Sequence, residues 1–320
     1  MKQRFPALLA VCLFWNAVAV QADIQVIHQN RTYSKDGWYD SAAYQRLSLL
    51  SPRYQLIISE SNPHRRKDDA SWSLFRFLYR NRPLLSDTGA NGTLLRVRHS
   101  EGGDGSSWIG SYYGGSPVGK LALRIGKKEH PLSPAAEIRT DTDWSRHELG
   151  KEKVVEFSKT ARLGPYRYDA SLRLDESGLT ETLTFTPLES APRVVGFLPY
   201  NHNLDAGYTD WIAQTRDGLQ EGRFISGLKE DGPGESLEGC RWIAAYCPKS
   251  KTGILIAYLS PAPDGGRDLL RSRPADHVHQ LSLPPPEKEP LTLVCRIAGF
   301  DAGEANWKAE AQRLADTLSP

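Results

Sequence analysis

The densest grouping of reactive side chains in this 320-residue chain is Pro199-Tyr200-Asn201-His202-Asn203-Leu204-Asp205, continuing to Tyr208, Asp210 and Trp211. Imidazole titrates near neutrality, so His202 could take up or release a proton under ordinary conditions. Tyr200 adds a phenol, Asn201 and Asn203 can hydrogen-bond hydroxyl groups, and Trp211 offers a flat face to a sugar ring. This mixture suits a polar, ring-shaped ligand. A strand-like stretch, residues 193–198, precedes it, which predicts that the group emerges at a sheet end or on a concave face. The alternative is a loop in which Asn, Asp and Gly serve turns and His202 is merely exposed.

Two further groupings share this character. Arg98-His99-Ser100-Glu101-Gly102-Gly103 is followed by Trp108 and by Tyr112-Tyr113-Gly114-Gly115. Glycines there allow close backbone approach, and aromatic rings flank an imidazole and a carboxylate. In the third, Arg273 precedes His277 and His279, which would project from one face of a strand, as the first two ligands of a metal site do. No third ligand accompanies them, so no metal and no other cofactor is expected. The common catalytic signatures are absent: there is no G-x-S-x-G elbow, H-E-x-x-H, P-loop, dinucleotide fingerprint or EF-hand loop.

The elements that must position these residues read as strands. Tyr54 to Ile58, Leu94 to Arg98, Leu121 to Ile125 and a meander from Lys153 to Leu188 alternate polar and apolar side chains between turn signals. That pattern predicts antiparallel sheets with one buried face. Arg241 to Tyr246 and Ile254 to Tyr258 make another pair. Asp36-Gly37, Asn91-Gly92, Glu176-Ser177-Gly178 and Asp217-Gly218 supply turns. Only the C-terminus reads as helix, with Asp301 and Glu304 as a capping box and Trp307, Ala311, Leu314 and Leu318 on one face. The fold class expected is therefore all-β: one large antiparallel β-sandwich over 23–320, closed by a C-terminal amphipathic helix.

The first 22 residues read as a secretory signal. Lys2 and Arg4 precede an apolar run, and Val20-Gln21-Ala22 fits a signal peptidase site. The run is too short to span a bilayer, which takes roughly 20 apolar residues. A secreted or periplasmic location with no membrane span after cleavage is expected. Cleavage removes two of the 40 basic residues and none of the 38 acidic ones, so the net charge falls from +2 to zero. A neutral chain exerts no long-range attraction on nucleic acid, so none is expected as a partner. The charged cluster from His64 to Asp69 reads as a solvated loop. Three cysteines remain, Cys240, Cys247 and Cys295, and either two of them pair or all behave as small buried hydrophobes.

The strand order, the hairpin from Trp242 to Gly253 and the mid-chain stretch Tyr200-Asn201-His202-Asn203-Leu204 resemble the galactose-mutarotase-like supersandwich of carbohydrate-active proteins. The stretch is similar to the His-x-Tyr-Phe-Asn-Leu of aldose epimerases, although here the His follows the Tyr and no Phe precedes Asn203. The resemblance implies a His as general acid, a role open to His202, and a late Glu as general base. Asp276, Glu287 and Glu289 stand in that region without matching. The same fold houses polysaccharide lyases, whose chemistry would draw on Tyr200, His202, His99, Tyr112 and Arg273. The leading expectation is thus an enzyme acting on extracellular glycan by lyase or epimerase chemistry. Its catalytic residues would be His202, Tyr200 and His99, with Asn201, Asn203, Trp108, Tyr112, Trp211, Arg273 and His279 around a poly- or oligosaccharide. Two alternatives stand beside it: a glycan-binding protein without catalysis, and a structural or envelope-assembly protein.

Overall fold

The computed structural model describes residues 22–32, 43–61, 71–86, 91–100, 105–110, 118–133, 145–190, 193–260 and 264–318. Residues 1–21, on which the expected signal falls, Asp36-Gly37, the cluster 64–69, Glu101 and Tyr112 lie outside them. Among the described residues, twenty-three strands and one helix follow in chain order. The first ten are β1 (Ile24–Thr32), β2 (Ala43–Leu50), β3 (Tyr54–Ser61), β4 (Ser71–Tyr79), β5 (Arg82–Leu85), β6 (Leu94–Arg98), β7 (Ser106–Gly110), β8 (Val118–Ile125), β9 (Lys128–Pro131) and β10 (Ser145–Glu152). Next come β11 (Val155–Leu163), β12 (Tyr166–Asp175), β13 (Gly178–Pro187), β14 (Val194–Leu198), β15 (Tyr200–Leu204), β16 (Asp210–Thr215) and β17 (Gly218–Arg223). The chain ends with β18 (Gly234–Glu238), β19 (Trp242–Cys247), β20 (Thr252–Tyr258), β21 (Arg267–Ser272), β22 (His277–Ser282), β23 (Leu291–Asp301) and helix α1 (Trp307–Leu318).

These strands form two ten-stranded sheets and one of three strands. The first runs β10-β1-β2-β3-β4-β5-β15-β22-β21-β18, the second β17-β16-β19-β20-β23-β13-β12-β11-β8-β9, and the third β14-β6-β7. The architecture is an all-β antiparallel sandwich, as the alternation predicts. Its logic is plain in the meander β11–β12–β13, where every second residue, among them Val155, Phe157, Leu163, Tyr168, Leu172, Leu174, Leu183 and Phe185, is buried and those on the opposite beat from Glu156 to Asp175 and from Thr180 to Thr186 are not. The inner faces meet across the core: Trp72 of β4 lies 5.7 Å from Phe157 of β11, ring to ring. The turn at Glu176-Ser177-Gly178 closes β12 onto β13, and Gly178 takes φ +127° there with a Cβ position 2.3 Å from the Ile297 carbonyl oxygen. Only glycine fits.

Helix α1 packs on the outside of the second sheet. Trp307, Ala311 and Ala315 are buried against Trp242, Tyr246, Leu255 and Phe300, and the rings of Trp307 and Tyr246 stack at 5.2 Å. The capping box is corrected. Asp301 ends β23, where it accepts a hydrogen bond from the Tyr79 hydroxyl at 3.0 Å and pairs with Arg80 at 2.6 Å, and the first helical bond runs from Glu310 N–H to the Asn306 carbonyl. Nor is Asn91-Gly92 a hairpin turn: Gly92 donates to the Asn201 carbonyl at 2.9 Å and borders β15 instead. Cys240, Cys247 and Cys295 are all free and buried, so the pairing alternative does not hold among them. No helix among the described residues is long and apolar enough to cross a membrane.

Candidate functional site

Strand β15 carries the densest chemistry and is buried on both faces. Because side chains alternate, Tyr200, His202 and Leu204 point into the sandwich while Asn201 and Asn203 point to the outer side of the first sheet. The group expected at a sheet end or on a concave face lies within a strand whose five side chains are all buried. His202 is 0% exposed, and so are Tyr200 and His279.

Inside, His202 and His279 sit directly opposite each other on β15 and β22, with their Nδ1 atoms 3.3 Å apart and their rings stacked at 5.6 Å. His202 Nε2 lies 3.0 Å from Glu181 Oε2 on β13 of the facing sheet. His279 Nε2 lies 2.8 Å from Asp268 Oδ1 on β21 and 3.1 Å from the Tyr258 hydroxyl on β20. Tyr258 also donates to Asp268. The result is a chain Glu181–His202–His279–Asp268 that crosses from one sheet to the other.

Its flanks are equally dry. The Tyr200 hydroxyl donates to the Glu181 carbonyl at 3.3 Å and is in hydrogen-bond contact with the Cys295 thiol. Burial pushes the Cys295 thiol and the Tyr200 and Tyr258 phenols well above their ordinary values. Burial likewise holds His279 below the usual imidazole value, against the opposing pull of its Asp268 partner. Lys159, an inward residue of β11, donates to the Trp72 carbonyl and lies over the Tyr168 ring at 5.1 Å. Burial lowers its ammonium to about 8, with Glu181 opposing.

The outer face of the first sheet is different. Arg273 is clamped by Asp276 through Nε and Nη2, both at 2.7 Å, and the same Nη2 donates to Asn203 Oδ1 at 2.8 Å. This leaves the Arg273 Nη1 hydrogens on a side chain 31% exposed. Asn203 is 1% exposed, its backbone N–H donates to Asn91 Oδ1 at 2.7 Å, and its own Nδ2 has no hydrogen-bond partner. Beside it Gln280 donates to Asn201 Oδ1 at 2.7 Å. Strand alternation places Arg46, Arg76 and Arg271 on this same face. Arg271 there pairs with Asp231 at 3.7 Å, as Arg273 does with Asp276, so the face is rich in donors and carries carboxylates beside its arginines, and the helix, which packs on the second sheet, does not cover it.

The remaining expected residues are scattered. Trp211 is a core residue, 4% exposed. Trp108 is 38% exposed on β7 of the three-stranded sheet, and His99, at the end of β6, bonds Ser107 Oγ at 2.6 Å. No contact among the described residues joins His99 to His202. His277 and His279 do share a face of β22, but His277 bonds the Tyr208 carbonyl at 2.9 Å and stacks on Phe224 at 4.2 Å, so the two do not converge on one ligand. Sequence reading missed Glu181, Asp268, Tyr258 and Arg46. The available signal was a charged residue on the inward beat of an apolar strand, as in Leu179-x-Glu181-x-Leu183 and Asp268-x-Leu270.

No protein-family model matches the chain, and none of the curated proteins does. Among solved structures it is similar to an α-N-acetylgalactosaminidase from Bifidobacterium bifidum, at 12% identity and TM-score 0.46, covering 85% of this chain and 39% of that one. It is also similar to a galactose mutarotase-like protein from Lactobacillus casei, at 11% identity and TM-score 0.42, over 80% of this chain and 100% of the other. A heparan sulfate lyase from Pedobacter heparinus gives 9% identity and TM-score 0.38, covering 86% and 36%. The chain spans about two fifths of the length of the first of these. At these values the likeness is one of strand arrangement, and no residue role is carried over from it.

Proposed function

We propose that this is an exported carbohydrate-active protein that binds an acidic glycan on the outer face of the first sheet. The observation that carries the reading is the Asn203–Arg273 pair. A buried amide nitrogen without a partner costs about 1–3 kcal/mol, so a position that retains one is accounted for when a ligand or water oxygen completes it. Next to it, Asp276 and Asn203 fix a guanidinium through Nε and Nη2 and leave its Nη1 hydrogens, on a side chain 31% exposed. The Nη1 hydrogens beside an amide N–H₂ suit an anionic oxygen such as that of a carboxylate or sulfate group. Arg46, Arg76 and Arg271, the last paired with Asp231 at 3.7 Å, lie on the same face, and a chain of sugars bearing repeated negative charge would run past them.

Binding is assigned here rather than lyase or epimerase chemistry. Proton transfer requires the carrier to reach the reacting atom within hydrogen-bond distance, and His202, Tyr200 and His279 are all 0% exposed on the opposite side of the sheet. The test is retention of the protein on uronate-bearing or sulfated polysaccharides compared with neutral ones. Arg273→Ala should weaken binding by roughly 10–100-fold, the worth of one to two charge-assisted hydrogen bonds. Equal retention on neutral glycans, or an unaltered Arg273→Ala protein, would overturn the reading. Absorbance from an unsaturated uronate product in the same samples would assign a lyase instead.

A further inference from the structure

The interior chain poses a proton-counting problem. Three hydrogen bonds link Glu181, His202, His279 and Asp268, and each needs one hydrogen. Two neutral imidazoles carry one N–H each. If both point Nε2–H at their carboxylates, two Nδ1 lone pairs face each other at 3.3 Å. The chain therefore requires a third proton, on an imidazolium or a carboxyl group, in a space with no water-exposed member. A cation ligated by His202 Nε2 at the Glu181 end would take the place of one of these hydrogens and remove that requirement.

Cys295 of β23 supplies what such a charge needs. One donor atom from each of Glu181, His202 and Cys295 lies within 4.8 Å of the other two, and all three residues are buried. We propose that Glu181, His202 and Cys295 form an interior site for a zinc-class divalent cation. An oxygen, a nitrogen and a sulfur donor make three protein ligands, the mixed set and number zinc accepts. Tetrahedral coordination at ordinary Zn–ligand lengths sets donors roughly 3.3–3.7 Å apart; the three donor atoms lie within 4.8 Å of one another, with Glu181 and His202 at 3.0 Å.

The rest of the chain then falls into place as an outer shell. His202 ligates through Nε2 and carries its hydrogen on Nδ1, which donates to the Nδ1 lone pair of His279. His279 in turn donates Nε2–H to Asp268. Every bond is made by neutral imidazoles, in the carboxylate–histidine arrangement that orients metal-bound histidines. One divalent ion balances the Glu181 carboxylate and the Cys295 thiolate, and binding releases the thiol proton. The proposal is independent of glycan binding, which uses the other face of β15.

The experiment is metal analysis of the purified full chain, followed by chelator treatment and titration with cobalt(II). Bound zinc-class metal is expected in stoichiometric amount, and cobalt should produce a thiolate-to-metal charge-transfer band. Cys295→Ala should abolish the band, while Cys247→Ala, which removes a buried thiol outside the donor set and the chain of polar groups behind it, should keep it. His279→Gln should weaken metal binding about 10–100-fold, the usual cost of removing an outer-shell partner. Wild-type protein that contains no such metal and gives no cobalt band would overturn the proposal and assign the third proton to the chain itself. A band that survives in Cys295→Ala would overturn it as well.

Discussion

Replacing His202 by alanine separates a structural from a catalytic role. His202 is 0% exposed, held between Glu181 Oε2 at 3.0 Å and His279 Nδ1 at 3.3 Å, with the rings of Tyr200 and His279 stacked at 5.5 and 5.6 Å. Truncation strands two polar atoms away from water, each at about 1–3 kcal/mol. Emptying a closed core position of a ring adds about 2 kcal/mol or more. Taking the lower ends, the loss is about 4 kcal/mol, a large share of the roughly 5–15 kcal/mol that holds a domain folded. Urea unfolding at neutral pH, followed by tryptophan fluorescence, reads this as a lower midpoint at an unchanged slope. Binding to acidic glycan should persist wherever the variant is folded, because Asn201 and Asn203 face the other way. A stability loss under about 1 kcal/mol would refute the reasoning, since the stranded atoms would then be finding water. A proton-carrying role would show the reverse pattern: normal stability with a rate loss of roughly 10²–10⁴-fold.

Three other expectations can be checked with the same protein. Gly178→Ala should cost at least about 2 kcal/mol, since its Cβ would stand 2.3 Å from the Ile297 carbonyl at φ +127°; a midpoint within error of wild type would contradict this. Native protein should leave Cys240, Cys247 and Cys295 unmodified by a thiol reagent, whereas denatured protein should show three thiols if cleavage follows Ala22 and four if Cys12 remains; fast labelling of the folded chain would be the contrary result. Burial holds His28, beside Gln45 and His147, and His277, beside the Tyr208 carbonyl and Asp276, below the ordinary imidazole value. The unfolded chain then takes up protons first as pH falls through about 6.5, so stability is full above that value and declines below it. His28→Gln should flatten part of this decline between neutral and mildly acidic pH, and identical slopes would count against the assignment.

The sequence by itself determined which face of each strand is buried. A period of two is local, and the rows of Val155, Phe157, Leu183 and Phe185 show it without reference to any partner. It determined the hairpins closed by Gly178 and Gly218, because φ > 0 is a property of one residue. It also marked β15 as unusual, since five consecutive residues mix an imidazole, a phenol and two amides. What it did not determine is the meaning of that mixture. Whether His202 meets solvent, a carboxylate or a second imidazole depends on strands that are distant in the chain: His279 lies 77 residues away and Glu181 21. Only the lateral order β15-β22-β21 in one sheet and β13-β23-β20 in the other sets His202 against His279 and Glu181 against Cys295. Register acts the same way on the outer face, where Asn203 reaches Arg273 across 70 residues. Long-range pairing is fixed by the packing of two whole sheets, and no short window of sequence contains it. Tertiary structure therefore split one reactive stretch into two: an inward pair of rings in a dry polar chain, and an outward pair of amides beside an arginine.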